Sequence, residues 1–345
     1  MFGFSAKDMG IDLGTSNTLI YIKDRGVVVN EATCISYDKR TQKVIATGTK
    51  AKAMFGKAPK DIIVTRPLQD GVISDFDMTA EMLERFILQA TEDKRVNGMR
   101  VVVGVPSGVT EVEKLAVEEV IRQLGAKEVY ILDEPTAAAI GAGLDIDDSE
   151  ASMVVDIGGG TCDIAILALG GIVVSTSLRY AGDKFNEAVI QYVRKKKGVL
   201  IGEKTAEELK MRVGSALIDK DSDGKEILKN ISARGRDLIS GLPKSFRCSN
   251  KDMEAALHES MDMIVDAIKS TVEKAPPEIA ADIAEKGLML TGGGAMIENL
   301  DKLINIKTGM IVDVAEQPYE AVALGAGKSL ENIEKLMVYA SDKKR

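Results

Sequence analysis

Tryptophan is missing from the chain, and histidine occurs once, at His258. That residue lies in KDMEAALHESMDMIVDAIKSTVEKA, a stretch with helical spacing, and reads as a helix-surface position. Chemistry built on Ser-His-Asp triads or on histidine-bound metals is thereby set aside. The three cysteines, Cys34, Cys162 and Cys248, are far apart and form no CxxC pair. Neither a zinc knuckle nor a disulfide framework follows, and a reducing cytoplasm is the natural reading. No apolar run approaches the roughly 20 residues that span a bilayer. The opening MFGFSAKD is too short and too weakly basic for a signal peptide. A basic surplus is lacking as well: 45 Lys and Arg stand against 53 Asp and Glu, a net charge of −8. General nucleic-acid binding depends on basic surface, so no nucleic-acid partner is expected.

What is present is a globular composition, 45% apolar and 28% charged, over 345 residues, enough for two domains or one large divided one. Strand and helix patterns alternate, which predicts an α/β fold. VVVGVP (101–106) reads as a buried strand. TEVEKLAVEEVIRQLG reads as a helix opened by a capping box of Thr110 with Glu113 and stopped at Gly125. EVYIL is the next strand, and PTAAAIGAGL the next helix, with Pro135 in its first turn. DKFNEAVIQYVRKKKG carries apolar residues at 185, 188, 189, 192 and 193, one helical face. TAEELKMRVGSAL predicts a second capping box, Thr205 with Glu208. A long helix from about 251 ends at Pro276 and Pro277, and GLMLTGGGAMIENLDKLI reads as strand, glycine turn, helix.

One repeat sets the architecture. MGIDLGTSNTLIYIKDRGVVV from Met9 lies over MVVDIGGGTCDIAILALGGIVV from Met153 with a constant offset of 144 and no gap. Asp12 falls on Asp156, Gly14 on Gly158 and Gly26 on Gly170. Both segments read strand, Asp-x-Gly turn, strand, Gly turn, strand. Two copies of one unit predict two similar α/β halves related by a rough twofold axis, their turns facing across a cleft.

A glycine-rich turn presents backbone N–H groups with no Cβ to shield them, a concave nest that suits phosphate oxygens. The dinucleotide fingerprint does not apply, because TCDIAIL after Gly158, Gly159 and Gly160 is a strand and not a helix. The Walker pattern is absent too. Each turn begins with an Asp, and Mg²⁺ prefers to keep its waters and be held by one or two carboxylates plus phosphates. Asp12 and Asp156 with two facing nests therefore predict a nucleoside triphosphate and Mg²⁺ site, both carboxylates acting through water. The third glycine turn, Gly292, Gly293 and Gly294, precedes a helix and suits the adenosine or α-phosphate side.

These pieces resemble the actin, heat-shock chaperone and sugar kinase ATPase superfamily. Within it the chain is similar to the bacterial actins of the MreB family, from about Met9 to about Leu330. GIDLGTSNT, RPLQDGVISDFD, EPTAAAIGAGL, VVDIGGGTCDIAI, AGDKFNEAVIQYVR, IGEKTAEELK, GRDLISGLP and LTGGGAMIENL carry the resemblance. It implies an actin-like fold of two ribonuclease-H-like halves, each with a smaller inserted subdomain and with ATP in the cleft between them. The large subdomains would cover 1–31 with 76–144, and 145–181 with 251–330; the small ones would cover 32–75 and 182–250, before a C-terminal helix and basic tail at 331–345. By the same resemblance the first phosphate turn is Asp12 to Thr18, including Gly14, Thr15, Ser16 and Asn17, and the second is Asp156 to Asp163. Glu207 and Lys210, three apart on one helical face, would flank adenine and ribose; on the residues alone they read as a solvated intrahelical ion pair. Glu134, at the end of strand VYILD and before Pro135, takes the water-positioning place, with Thr161 holding the same water. On the residues alone Glu134 is equally a carboxylate favoured by a helix N-terminus. Together these imply slow ATP hydrolysis coupled to filament assembly, in protofilaments paired antiparallel on the inner membrane face and governing cell shape, with paralogues or other cell-shape proteins as further partners.

The usual membrane devices of such relatives are weak here: the N-terminus offers only Phe2 and Phe4 before Lys7, and the loop TEDKRVNGM is polar. The C-terminus has Leu330, Ile333, Leu336, Met337 and then Tyr339 or Ala340 at helical spacing and ends in Lys343, Lys344 and Arg345. Basic residues beside anionic lipid contribute about 1 kcal/mol each, so weak peripheral binding to an anionic membrane is expected, alongside the plainer reading of a docked helix with a solvated tail. The competing function is a metabolic small-molecule kinase of the same superfamily, in which Glu134 would deprotonate a substrate hydroxyl. A chaperone of the heat-shock type would need a substrate-binding domain, and at most about 20 residues remain for one.

Overall fold

Two five-stranded sheets carry the molecule, and they are built alike. The first runs Gly26–Ala32, Asn17–Ile22, Asp8–Leu13, Met99–Val105, Ala126–Asp133 in spatial order; the second runs Gly171–Leu178, Cys162–Ala168, Ser152–Ile157, Leu288–Thr291, Val312–Val314. In each, three strands joined by hairpins pair antiparallel and two later strands add in parallel. The computed structural model describes residues 8–92, 98–332, 335 and 337.

The repeat read from the sequence is a repeat in register. Asp12 pairs with Leu19 and Leu13 with Thr18, while Asp156 pairs with Asp163 and Ile157 with Cys162. Those are the same positions at an offset of 144, so both hairpins close on four-residue turns. The ungapped match fails one turn later. Three residues, Lys23 to Arg25, separate Ile22 from Gly26, whereas Leu169 and Gly170 alone separate Ala168 from Gly171. Leu169 (φ 52°) and Gly170 (φ 77°) are both left-handed, the geometry that suits a two-residue hairpin turn. Gly26 opens its strand, so it is not the counterpart of Gly170.

Burial follows the two faces of each sheet. Along Met99–Val105, Val101 and Val103 enter the core of the first half, and Val102 enters a core shared by both halves. Along Ser152–Ile157, Met153, Val155 and Ile157 enter the core of the second half, and Val154 the shared one. Strands buried on both faces read as unbroken apolar runs, which is why VVVGVP shows no alternation. The shared core is completed by two helices, Glu134–Ala142 and Ala321–Ser329, whose Ala137, Ala138, Ala139, Ala321 and Ala326 lie between the sheets. Two smaller three-stranded sheets stand outside this frame, one of Val44–Thr47, Ile35–Asp38 and Ile62–Thr65, the other of Val199–Leu200, Asn230–Asp237 and Pro243–Ser249.

The predicted helix Glu111–Gln123 starts at the expected capping box, with Thr110 N–H donating to Glu113 Oε2 at 2.6 Å. The second predicted box does not form. Helix Glu203–Val213 starts two residues before Thr205, from Gly202 and without a side-chain cap, so Thr205 is already helical. The third glycine turn also differs: Gly293–Met296 is a 3₁₀ turn, and the α-helix begins only at Leu300. Phe2, Phe4, Lys343, Lys344 and Arg345 lie outside the described residues, as does most of TEDKRVNGM. Among the described residues no helix is long and apolar enough to cross a membrane.

Candidate functional site

The alternation of the strands decides where the two aspartates point. Ile11 and Leu13 enter the first core, so Asp12 faces the other half; Val155 and Ile157 enter the second core, so Asp156 faces back. Thr291, at the end of the neighbouring parallel strand, donates its hydroxyl to Asp156 Oδ1 at 2.7 Å. Glu134 is the first residue of the helix Glu134–Ala142 and is buried beside them. One cavity of about 260 Å³ is lined by Asp12 and Gly14 to Asn17 of the first turn, Asp156 and Gly158 to Thr161 of the second, the third glycine turn, Glu134, Glu207 and Lys210; Thr18 and Asp163, the predicted ends of the two phosphate turns, are not in its lining.

The glycines of the second turn have a more immediate reason than a phosphate. A Cβ on Gly159 would overlap the Ser16 side chain, and one on Gly160 would lie 2.5 Å from Thr15 Oγ1 and 2.9 Å from Asp70 Cα. The two turns pack against each other, and Thr15 Oγ1 accepts a hydrogen bond from Gly71 N at 2.7 Å. Gly292 has a different constraint. It is left-handed (φ 78°), and its missing Cβ would collide with the Ile157 carbonyl.

The cavity floor is acidic. Burial, then the charge of Asp156, pushes the Asp12 carboxyl up to about 8. Burial pushes Asp156 up to about 7, against the Thr291 hydrogen bond and helped by Asp163. Glu134 is raised by burial and then by Asp163, Asp12, Asp156 and Asp133. Asp163, which sequence reading took only as the end of the turn, is fully buried. Its Oδ1 accepts from Ser107 N at 3.1 Å and Ser107 Oγ at 2.9 Å, the Ser177 and Thr161 hydroxyls are near, and Oδ2 has no well-aligned donor among the described residues. Asp12, Asp156 and Glu134 line the cavity, and Asp163 is close enough to raise Glu134; such acceptors would suit a hard cation with its water shell. Among the described residues no three acidic, histidine or cysteine side chains are spaced to grip a metal directly.

At the rim, charged groups reach across the cleft. Lys52 pairs with Glu207 at 2.8 Å, and Arg66 with Asp183 at 2.8 Å and Glu203 at 3.5 Å. Glu207 is therefore held by the opposite half and not by Lys210, whose ammonium donates to the Gly182 carbonyl at 2.9 Å. Burial lowers the Lys210 ammonium to about 8, with Glu207 and Asp183 opposing the shift. Lys52, Arg66 and Asp183 carry no local pattern that sequence reading detects. The lining also includes the apolar Phe185, Met211, Met296 and Ile297 and the ring of Tyr319, and the Lys210 ammonium lies 5.8 Å from the Phe185 ring centre. Glycine turns, acids and apolar side chains in one cavity suit a nucleotide, which has both a charged and an aromatic part. His258 lies exposed on helix Asn250–Glu273, as expected.

Comparisons with known proteins agree with this geometry. The family described as MreB/Mbl protein matches residues 6–338. The chain is 43% identical over 331 residues to the cell shape-determining protein Mbl of Bacillus subtilis, covering 96% of this chain and 98% of that one. It is 45% identical over 337 residues to the cell shape-determining protein MreB of Escherichia coli, covering 96% and 95%. Crystal structures of MreB5 of Spiroplasma citri bound to ADP and to AMPPNP superpose with a TM-score of 0.88 at 35% and 34% identity, over 96% of this chain and 97% of theirs. The MamK double helical filament matches with a TM-score of 0.78 over 94% of this chain and 98% of that one; at 21% identity it shows the fold alone.

Proposed function

The chain belongs to the MreB/Mbl family and has its actin-like fold, and on that premise we propose that it is a cytoskeletal ATPase of cell-shape determination that assembles into filaments. Membership sets aside the metabolic kinase, since the relatives are cell shape-determining proteins. The observation that carries the proposal is the closure of two hairpins, in equal register, over one acidic cavity. The Spiroplasma relative binds ADP and AMPPNP, which supports ATP and ADP as ligands here.

In this proposal the N–H groups of Gly14 to Asn17 and of Gly159 to Thr161 cradle the phosphates, while the Gly158 N–H closes its own turn on the Thr161 carbonyl at 2.9 Å. Asp12 and Asp156 would hold Mg²⁺ through its waters, and the ion would supply charge neutralisation to the phosphates. Glu134, as a carboxylate, accepts a hydrogen bond from the attacking water, which the Thr161 hydroxyl orients. Phosphoryl transfer asks little covalent work of protein groups, so such positioning dominates the rate. Gly292 to Gly294, Glu207 and Lys210 take the adenosine end. The division of each half into the large and small subdomains given above belongs to the same proposal, as do antiparallel pairing, cytoplasmic location, other cell-shape partners and peripheral binding to anionic membrane. For the last, Phe2, Phe4 and the terminal Lys343, Lys344 and Arg345 are the candidates, each weak alone and strengthened by avidity along a filament.

Single-turnover phosphate release from Glu134→Ala tests the catalytic part. Loss of water positioning predicts release slowed by about a hundredfold or more, with ADP affinity kept within about twofold. Loss of ADP binding would instead make Glu134 a structural residue.

A further inference from the structure

Tyr319 belongs to no pattern that the glycine turns explain, yet it lines the cavity. Its backbone is fixed to the third glycine turn, because Gly292 N–H donates to the Pro318 carbonyl at 2.7 Å. The ring edge lies beside Gly293, where an added Cβ would sit 3.4 Å from Cδ2 and 3.7 Å from Cε2. The phenol then reaches the opposite half: Tyr319 Oη donates to Asn30 Oδ1 at 3.3 Å. The same oxygen accepts from Asn17 Nδ2 at 3.2 Å, and Asn17 closes the first phosphate turn. The ring thus spans the cleft between the glycine turn of one half and a strand of the other. Its surroundings agree, since burial first, then the charges of Asp12, Glu207 and Glu320, raise the phenol well above its usual range. On the ATP-binding reading the ring therefore lies between the third glycine turn, at the adenosine side, and Asn17 of the first phosphate turn.

We propose that Tyr319 is a specificity-determining residue of the site, its ring packing against the nucleoside of the bound nucleotide while its hydroxyl, through Asn30, ties that contact to the first phosphate turn. The inference rests on the ATP-binding reading above. An aromatic wall is indifferent to phosphates alone, so it favours a nucleotide over inorganic polyphosphates of equal charge. Aromatic contact area is the physical source of the preference.

Calorimetric titration with ADP and with pyrophosphate, on wild type, Tyr319→Leu and Tyr319→Phe, tests it. The expected result is ADP binding weakened about tenfold in Tyr319→Leu, pyrophosphate binding unchanged, and Tyr319→Phe within about twofold of wild type, as the ring is kept. Equal weakening of both ligands would make Tyr319 a prop of the cleft, and no weakening of either would remove it from the site; each outcome overturns the proposal. The chain has seven tyrosines and no tryptophan, so tyrosine emission gives a second readout. ADP, and not pyrophosphate, should quench wild type by an increment missing from Tyr319→Phe. If Tyr319→Leu fails to fold, that increment decides: equal quenching in both proteins overturns the proposal. A wild-type chain that binds neither ligand would defeat the ATP reading itself.

Discussion

Asp156 shows how a single residue links sequence, stability and ligand. Its carboxyl ordinarily titrates near 3.8 and is pushed up to about 7 by burial. Between those values the folded protein holds a proton that the unfolded chain has released. Stability from this group is therefore highest below about pH 4 and falls as pH rises toward about 7. Asp156→Asn keeps an acceptor for Thr291 and removes the titration. Thermal melts of the nucleotide-free protein should show the variant gaining on wild type between pH 4.5 and pH 7.5, roughly the window of the shift. A difference independent of pH would show that Asp156 does not titrate there. Asp12 and Asp156 were legible because each precedes a glycine turn in a repeated hairpin. Asp163 was not, because a polar residue inside an apolar strand reads as an ordinary outward position until the facing half covers it.

At the scale of elements, the contact between helices Glu134–Ala142 and Ala321–Ser329 joins the two halves. A Cβ on Gly325 would overlap the Ala137 carbonyl, and one on Gly141 the Ala321 carbonyl, so the helices meet backbone to backbone. Gly325→Ala forces them apart and should cost about 1–3 kcal/mol, the usual range for overpacking, read as a lowered denaturation midpoint. An unchanged midpoint would mean that the contact relaxes freely. Strand and helix identities were legible from periodicity, and the Thr110 cap from its local spacing. The Thr205 cap was misread because Gly202 already supplies the extended residue from which the helix starts. The two-residue turn at Leu169 was missed because turn length depends on hairpin register, which composition does not carry.

For the whole molecule, closure is the property that matters, and its rim pairs join residues 155 and 117 positions apart, out of reach of any local pattern. Lys52 and Glu207 are each partly exposed, so their pair contributes about 1 kcal/mol or less. Lys52→Glu sets two carboxylates against each other across the cleft and should speed nucleotide release several-fold, read by stopped flow; unchanged release would argue against a latch. On the proposed function the γ-phosphate would bridge the halves, and its loss would loosen the same closure, which is how hydrolysis would time a filament. The most direct test of that account is sedimentation with phosphate release read on one sample, in ATP and Mg²⁺. The account predicts ATP-dependent pelleting with slow phosphate release, and pelleting without release for Glu134→Ala. A protein that stays in the supernatant at every concentration, and turns over ATP only when a sugar or acid is supplied, would contradict it.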